Sequence, residues 1–479
     1  MIARLSACLI PLVLVAACAR VEPVSPPSSR LIPEWIVGDG GRVPSHVEAP
    51  PYRGGLADGG TLYDTALQTS CAVVATADGK LRCIPTETTY VEFSDAACTQ
   101  PVVSSLSRTP PAPYALQYGD CGRIAHVFAV GAPIAPGPAY LRQPKECVPS
   151  YPEDLKAPRY ALEEVPLEQF VAVTEETTPS SNRLQALEWV TDDGLRVRIG
   201  AKDTALGAPC SATWEPRSGE SVCLPSRGAT VESAYFGDAA CTRPIVSDYA
   251  HGTCPERSLR PIFRYDPAGA DACGPFRYAP RTGGSAPVAT EYQVDPLGRG
   301  CVVAKTLPGT PSYGAGPAVP LAALTPRLDG LEGARLRPYV TDDGHGLVLP
   351  TGRFRDTGAG FDCIPQRHYE PPSTVSLLCM PPDFGWSPDD LFTDAACTKP
   401  IELASFGSCA PAPRVVFQLT GAAQVAIRPL GAPFTEPLFL FDGRAGCVRA
   451  EMRERTGSTL LRVGPPERTL PLAPLTISR

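Results

Sequence analysis

The sequence is poor in the residues from which most active sites are built. Its 479 residues include 5 histidines, 4 tryptophans and 3 methionines, and 6 lysines against 37 arginines. No CxxC pair occurs, which excludes zinc ribbons and thioredoxin-like redox centres. HExxH, GxSxG, GxxxxGK[ST] and the GxGxxG dinucleotide fingerprint are absent, so the enzyme classes that those motifs mark fall away. There is no block of basic residues and the formal charge is −7, which removes the main electrostatic term of nucleic-acid binding. Beyond the N-terminus no apolar run is long enough to span a bilayer. No long window keeps helical spacing without a Pro or Gly to interrupt it.

What is abundant points the other way. With 56 prolines and 43 glycines, turns and short strands are favoured over long helices. Apolar residues make up 43%, enough for a sizeable core, and the length suits two to four domains. Eighteen widely spaced cysteines in a turn-rich chain predict disulfides and an oxidising compartment.

The N-terminus, MIARLSACLIPLVLVAAC, places one charge (Arg4) before an apolar run and small residues, the pattern of a secretory signal over 1–17. Its ending, Val15-Ala16-Ala17-Cys18, resembles the bacterial lipobox. That resemblance implies a diacylated Cys18 as the mature first residue. Ala19 rather than Asp implies the outer membrane as destination, with the lipid as membrane partner. Residues 18–29 are then a Pro-rich tether of roughly 35 Å at full stretch.

The rest says the same thing three times. FSDAACTQPV starts at Phe93, FGDAACTRPI at Phe236 and FTDAACTKPI at Phe392. Each copy opens on Arg-Leu, at Arg30, Arg183 and Arg335, and carries Asp-Thr seven residues before a cysteine: Asp64 before Cys71, Asp203 before Cys210, Asp356 before Cys363. Three repeats follow, over 30–180, 181–332 and 333–479. Alternating runs such as Tyr90-Val91-Glu92-Phe93 and recurrent Asp-Gly pairs (Asp39-Gly40, Asp78-Gly79, Asp193-Gly194, Asp343-Gly344) predict an all-β fold. The expected architecture is a six-bladed β-propeller with two four-stranded blades per repeat; the alternative is three tandem β domains. In the DAACT phrase, Asp95, Asp238 and Asp394 are expected to cap a single helical turn that the following proline stops.

The cysteines give a partial pairing. The second repeat has Cys210, Cys223, Cys241, Cys254, Cys273 and Cys301; the first has Cys71, Cys83, Cys98, Cys121 and Cys147; the third has Cys363, Cys379, Cys397, Cys409 and Cys447. Sequential pairing, first with second, third with fourth and fifth with sixth, leaves Cys98 and Cys447 over. These could join each other, or Cys98 could take Cys121; sequence does not decide connectivity. A bridge from Cys71 to Cys83 excludes a two-residue turn at Asp78-Gly79, and a loop from Ala75 to Gly79 would set the two cysteines directly opposite.

Chemistry is sparse. His46, His126, His251, His345 and His368 sit at unmatched places in the repeats and read as surface residues, not metal ligands or bases. Nothing asks for a cofactor. The Asp192-Asp193-Gly194 and Asp342-Asp343-Gly344 turns lack the spaced oxygens of a calcium loop. The symmetry breaks in the third repeat, where QRHYEPPSTVSLLCMPPDFGWSPDD inserts His368, Tyr369, Phe384 and Trp386, a candidate binding loop for a sugar or protein partner.

LYDTALQTSC, DGKLRCIP, FSDAACTQP, VGAP and EVPLEQF together resemble a family of uncharacterised bacterial envelope lipoproteins with Cys-rich F-x-D-A-A-C-T-x-P repeats. The resemblance implies no catalytic residues. The expectation is a non-enzymatic, disulfide-stabilised envelope lipoprotein acting as a binding or scaffold module. The alternative is a polysaccharide-acting hydrolase or lyase.

Overall fold

The computed structural model describes residues 29–45, 62–105, 111–119, 122–142, 146–150, 157–178, 182–215, 220–225, 229–231, 235–243, 245–247, 262–264, 277–279, 290–294, 301–304, 312–314, 321–370, 374–381, 391–407, 415–420, 423–442, 446–449 and 458–479. Cys18, the signal and all but the end of the tether lie outside them, as do His46, Cys121, His251, Cys254, Cys273, Phe384, Trp386 and Cys409.

The fold is all-β; the one described helix is a 3-10 turn, Leu167–Gln169. Five strand positions recur in each repeat, in the same order. The first is Leu31–Pro33 with Trp35–Gly38, then Leu184–Thr191 and Leu336–Asp342. The second is Gly41–Pro44 with Leu62–Asp64, then Arg196–Asp203 and Val348–Asp356. The third is Thr69–Ala75, Ala208–Glu215 and Phe361–Glu370; the fourth is Leu81–Pro85, Glu220–Pro225 and Thr374–Met380. The fifth is Ala172–Thr177, Ala322–Leu328 and Pro474–Ser478. Alternation of apolar and polar residues drives this: in Leu336–Asp342, Leu336, Pro338 and Val340 are buried while Arg337 and Tyr339 are half-buried on the other face.

The first four strands of a repeat pair antiparallel in chain order. Each fifth strand then has two partners. Its beginning pairs with the fourth strand of its own repeat: Ala172 with Arg82, Ala322 with Cys223, Pro474 with Leu378. Its end pairs with the first strand of the next repeat: Glu175 with Trp189, Thr325 with Asp342, Ile477 with Ile36. The third repeat therefore hands back to the first, and the order of neighbours returns to its start across Glu34. The result is one 17-stranded sheet. Described ladders do not group into six four-stranded blades, because the fifth strands spend their hydrogen bonds joining repeats.

The cores follow the same hand-over. Cys71 and Cys83 of the first repeat pack with Leu187, Trp189, Leu195, Val197 and Ile199 of the second. Cys210 and Cys223 pack with Leu347 and Leu349 of the third. Cys363 and Cys379 pack with Ile36 and Val43 of the first. Each of these three cores spans two repeats, while smaller clusters around Phe93 and Ile84 in the first repeat and around Leu391 and Ala404 in the third stay inside one repeat.

Between fourth and fifth strands each repeat makes an excursion that carries the DAACT phrase. In the first it is an 8-stranded sheet; in the third it is a 3-stranded and a 5-stranded sheet. In the second the described strands form smaller ladders.

Candidate functional site

Three constructions recur at matching places. The first joins the two dipeptides that mark each repeat. Arg30 donates through Nε and Nη2 to Asp64 at 2.8 and 2.7 Å, Arg183 to Asp203 at 2.9 and 2.7 Å, and Arg335 to Asp356 at 3.0 and 2.8 Å. All three aspartates are fully buried, the arginines about a third exposed. Their remaining lone pairs accept backbone N–H groups: Ala66 and Leu67, Ala205, and Ala359. The neighbouring threonines, Thr65, Thr204 and Thr357, donate N–H and Oγ1–H to the carbonyl of the same arginine. Arg-Leu and Asp-Thr are two halves of one fastening.

The second construction is the DAACT loop. Asp95 accepts Thr99 N and Oγ1 at 2.9 and 2.8 Å and Gln100 N at 2.8 Å. Asp238 does the same with Thr242 and Arg243, and Asp394 with Thr398 and Lys399. In all three copies amides four and five residues on bond the carboxylate, so the aspartate braces a closed loop and caps no helix. Cys98, Cys241 and Cys397 sit at φ of 52°, 54° and 51°, the left-handed region that breaks a helix. Hydrogen bonds hold these carboxyls below the ordinary aspartate value, from Gln100 N–H above all for Asp95, and from the Thr242 and Thr398 hydroxyls for Asp238 and Asp394.

The third is sulfur. Cys71–Cys83, Cys210–Cys223 and Cys363–Cys379 bridge adjacent strands with Cα atoms 5.2, 5.3 and 5.2 Å apart. The cysteines are diagonal neighbours, not opposite ones: Cys71 faces Pro85 and Cys83 faces Val73. The loop runs from Thr76 to Lys80, one residue later than the direct-opposite register requires, closed by Thr76 Oγ1 bonding Asp78 and the Lys80 carbonyl. Burial would raise the Asp78 carboxyl, but hydrogen bonds from Arg82 and Thr76 outweigh it and hold it at about 2. The other bridges correct the sequential expectation. Cys98 joins Cys147, Cys241 joins Cys301 and Cys397 joins Cys447. Thus Cys241 and Cys397 do not take Cys254 and Cys409, Cys301 does not take Cys273, and Cys98 and Cys447 are not left over. The reason lies in the sheet: the strand ending at Phe93, Phe236 or Phe392 pairs with Tyr140, Tyr292 or Phe439, whose hairpin partner carries the last cysteine.

The Asp-Gly turns divide. Gly79, Gly194 and Gly344 take positive φ, as such turns favour. Gly40 does not; it is needed for space, since a Cβ there would stand 2.5 Å from the Leu336 carbonyl oxygen. Asp39 accepts Arg335 N and Leu336 N at 2.9 and 2.7 Å, and Asp193 accepts Arg30 N at 2.9 Å. These turns clasp the opening Arg-Leu of a neighbouring repeat.

Of the candidate binding loop, the structure places the backbone of His368 and Tyr369 in the long hairpin Phe361–Glu370 and Thr374–Met380, opposite Ser376 and Val375. Half of the insertion is thus an extended strand pair, which the Cys363–Cys379 bridge staples. His126 and His345 are described: His126 Nδ1 lies 2.6 Å from Glu164 on an exposed strand face, and His345 sits in the Asp343 turn. Among the described residues no group of three or more His, Cys, Asp or Glu could hold a metal ion, and no helix is long and apolar enough to cross a membrane. Sequence reading missed Tyr339, Arg355 and Asp362, where the Tyr339 hydroxyl and Arg355 Nη1 both donate to Asp362 Oδ1 at 2.9 and 3.0 Å. Burial and the bond to Asp362 push the Tyr339 hydroxyl up to about 12. The one available signal was that the matching positions in the other repeats hold different residues.

Residues 57–454 match the model of a family described as a family of unknown function (DUF7481). No curated protein and no solved structure matches the chain.

Proposed function

The chain belongs to that family of unknown function, and we propose that it is a non-enzymatic envelope lipoprotein whose disulfide-stapled body acts as a binding or scaffold module. Lipid on Cys18 would tether it to the outer membrane. The observation that carries this reading is where the polar chemistry goes. The buried Arg–Asp pairs, the DAACT aspartates and the Asp-Gly turns are occupied in holding the fold, three times over. Six disulfides among the described residues suit an oxidising compartment outside the cytoplasm. The departure from three-fold repetition, the hairpin around His368 and Tyr369 and the following stretch with Phe384 and Trp386, is where a partner would be recognised.

Two experiments test the reading. Metabolic labelling with an alkyne palmitate should mark the wild type and not Cys18→Ser; equal labelling removes the anchor. A glycan array with the soluble body should show binding that Phe384→Ala with Trp386→Ala abolishes. Shortened sugar chains on incubation would instead make the protein a polysaccharide hydrolase or lyase.

A further inference from the structure

One row of the sheet differs between the repeats in a way the shared fold does not require. It crosses the first, second and third strands on the face opposite the cores. In the first repeat it reads Ile32, Tyr63, Ser70; in the second Gln185, Lys202, Pro209; in the third Arg337, Arg355, Asp362. Apolar, amide and single-cation rows all support the same ladder, so folding does not ask for arginine here.

Arg337 and Arg355 are directly opposite in register. Side chains so placed start about 5 Å apart at Cβ, and like charges there are destabilising. The second repeat balances its arginines: Arg196 meets Glu176 and Glu188 at 2.6 and 3.3 Å, and Arg198 meets Glu188 at 3.5 Å. The third-repeat row does not. Its carboxylate, Asp362, is shared between Arg355 and the Tyr339 hydroxyl. Arg337 donates through Nε to the Asp329 carbonyl at a long 3.4 Å. Among the described residues, Nη1 and Nη2 of Arg337 and Nε and Nη2 of Arg355 have no protein acceptor. All of these side chains are half-buried, open enough to meet a ligand and covered enough to strengthen its electrostatics.

We propose that the Arg337–Arg355 row is a binding site for an oxyanion, a phosphate or carboxylate group carried on a larger envelope ligand. Two guanidiniums facing across adjacent strands present planar donor forks, which grip such groups through paired N–H···O bonds. Asp362 and Tyr339 hold Arg355 in place, so part of the ordering is already in the unliganded fold. The site stands on the strand that continues to His368 and Tyr369. The inference therefore rests on the third repeat being the binding repeat, but it needs neither the anchor nor residues 382–390.

The test uses the soluble oxidised body and three probes at matched ionic strength: inorganic phosphate, glucuronate and chloride, followed by isothermal titration and by backbone amide shifts. Saturable binding of phosphate, glucuronate or both, without chloride competition, is expected; which of the two binds more tightly identifies the source. Arg337→Gln and Arg355→Lys install the second repeat's own residues, so folding is retained. Each should weaken binding about tenfold, the worth of one charge-assisted hydrogen bond. Lys202→Gln, on the matching row, should leave binding unchanged. Affinity unchanged in the Arg337→Gln/Arg355→Lys double variant, or no saturable response to either oxyanion, overturns the proposal. Glycan-array binding by a wild type that gives no saturable oxyanion response would overturn the anion site while sparing the wider binding reading.

Discussion

At the scale of residues, the account turns on carboxylates that are used up structurally. Replacing Asp203 by Ala should destabilise the protein by about 2 kcal/mol, read from the urea midpoint, because the partly exposed Arg183 fork and the Ala205 N–H lose their buried acceptor. Arg183→Lys, which keeps the charge but loses the fork, should cost less. Asp78 gives a pH test. Its folded value of about 2 lies below the ordinary carboxylate range, so its contribution is present above about pH 4 and is lost as pH falls toward 2. Asp78→Asn should flatten that acid limb of the stability profile, and a chemical-shift titration of Asp78 should find the low midpoint directly. Arg-Leu and Asp-Thr were legible in the sequence as recurring words, but not as partners. Arg30 and Asp64 are 34 residues apart, and only the register of the ladder brings them together.

At the scale of elements, the sequence disclosed strands and turns more readily than their register. The first disulfide of each repeat was legible because a hairpin brings nearby cysteines together. Its diagonal geometry was not, since a loop displaced by one residue shifts the pairing by two. The second class of bridge was misread because proximity along the chain is a poor guide across an excursion of 49 to 60 residues. Peptide mapping without reduction should recover Cys98–Cys147, Cys241–Cys301 and Cys397–Cys447. Cys98→Ser with Cys147→Ser should cost about 4 kcal/mol in the urea series, as expected for a loop of this length. The candidate binding loop was legible as an interruption of symmetry, but not the extended hairpin that its first part forms. The arginine row escaped because its members are separated along the chain and meet only across three strands.

At the scale of the whole molecule, repetition was legible and closure was not. Periodic text announces matching units; it does not say whether they stand apart or interlock. Here the decisive element is the fifth strand, whose two halves serve different repeats. The C-terminal copy completes the circuit: Ile477 pairs with Ile36, Arg479 bonds buried Glu34 at 3.1 Å, and its guanidinium lies 3.6 Å over the Tyr63 ring. Removing 474–479 should therefore loosen the first and third repeats together, seen as faster tryptic cleavage of both. The interlocked body is the central claim, and its most direct test is equilibrium urea unfolding of the oxidised chain beside the isolated segment 181–332, with tryptophan fluorescence and far-UV circular dichroism as probes. The account predicts one coincident transition for the chain and none for the segment. Separate transitions in the chain, or a cooperative transition in the segment alone, would contradict it.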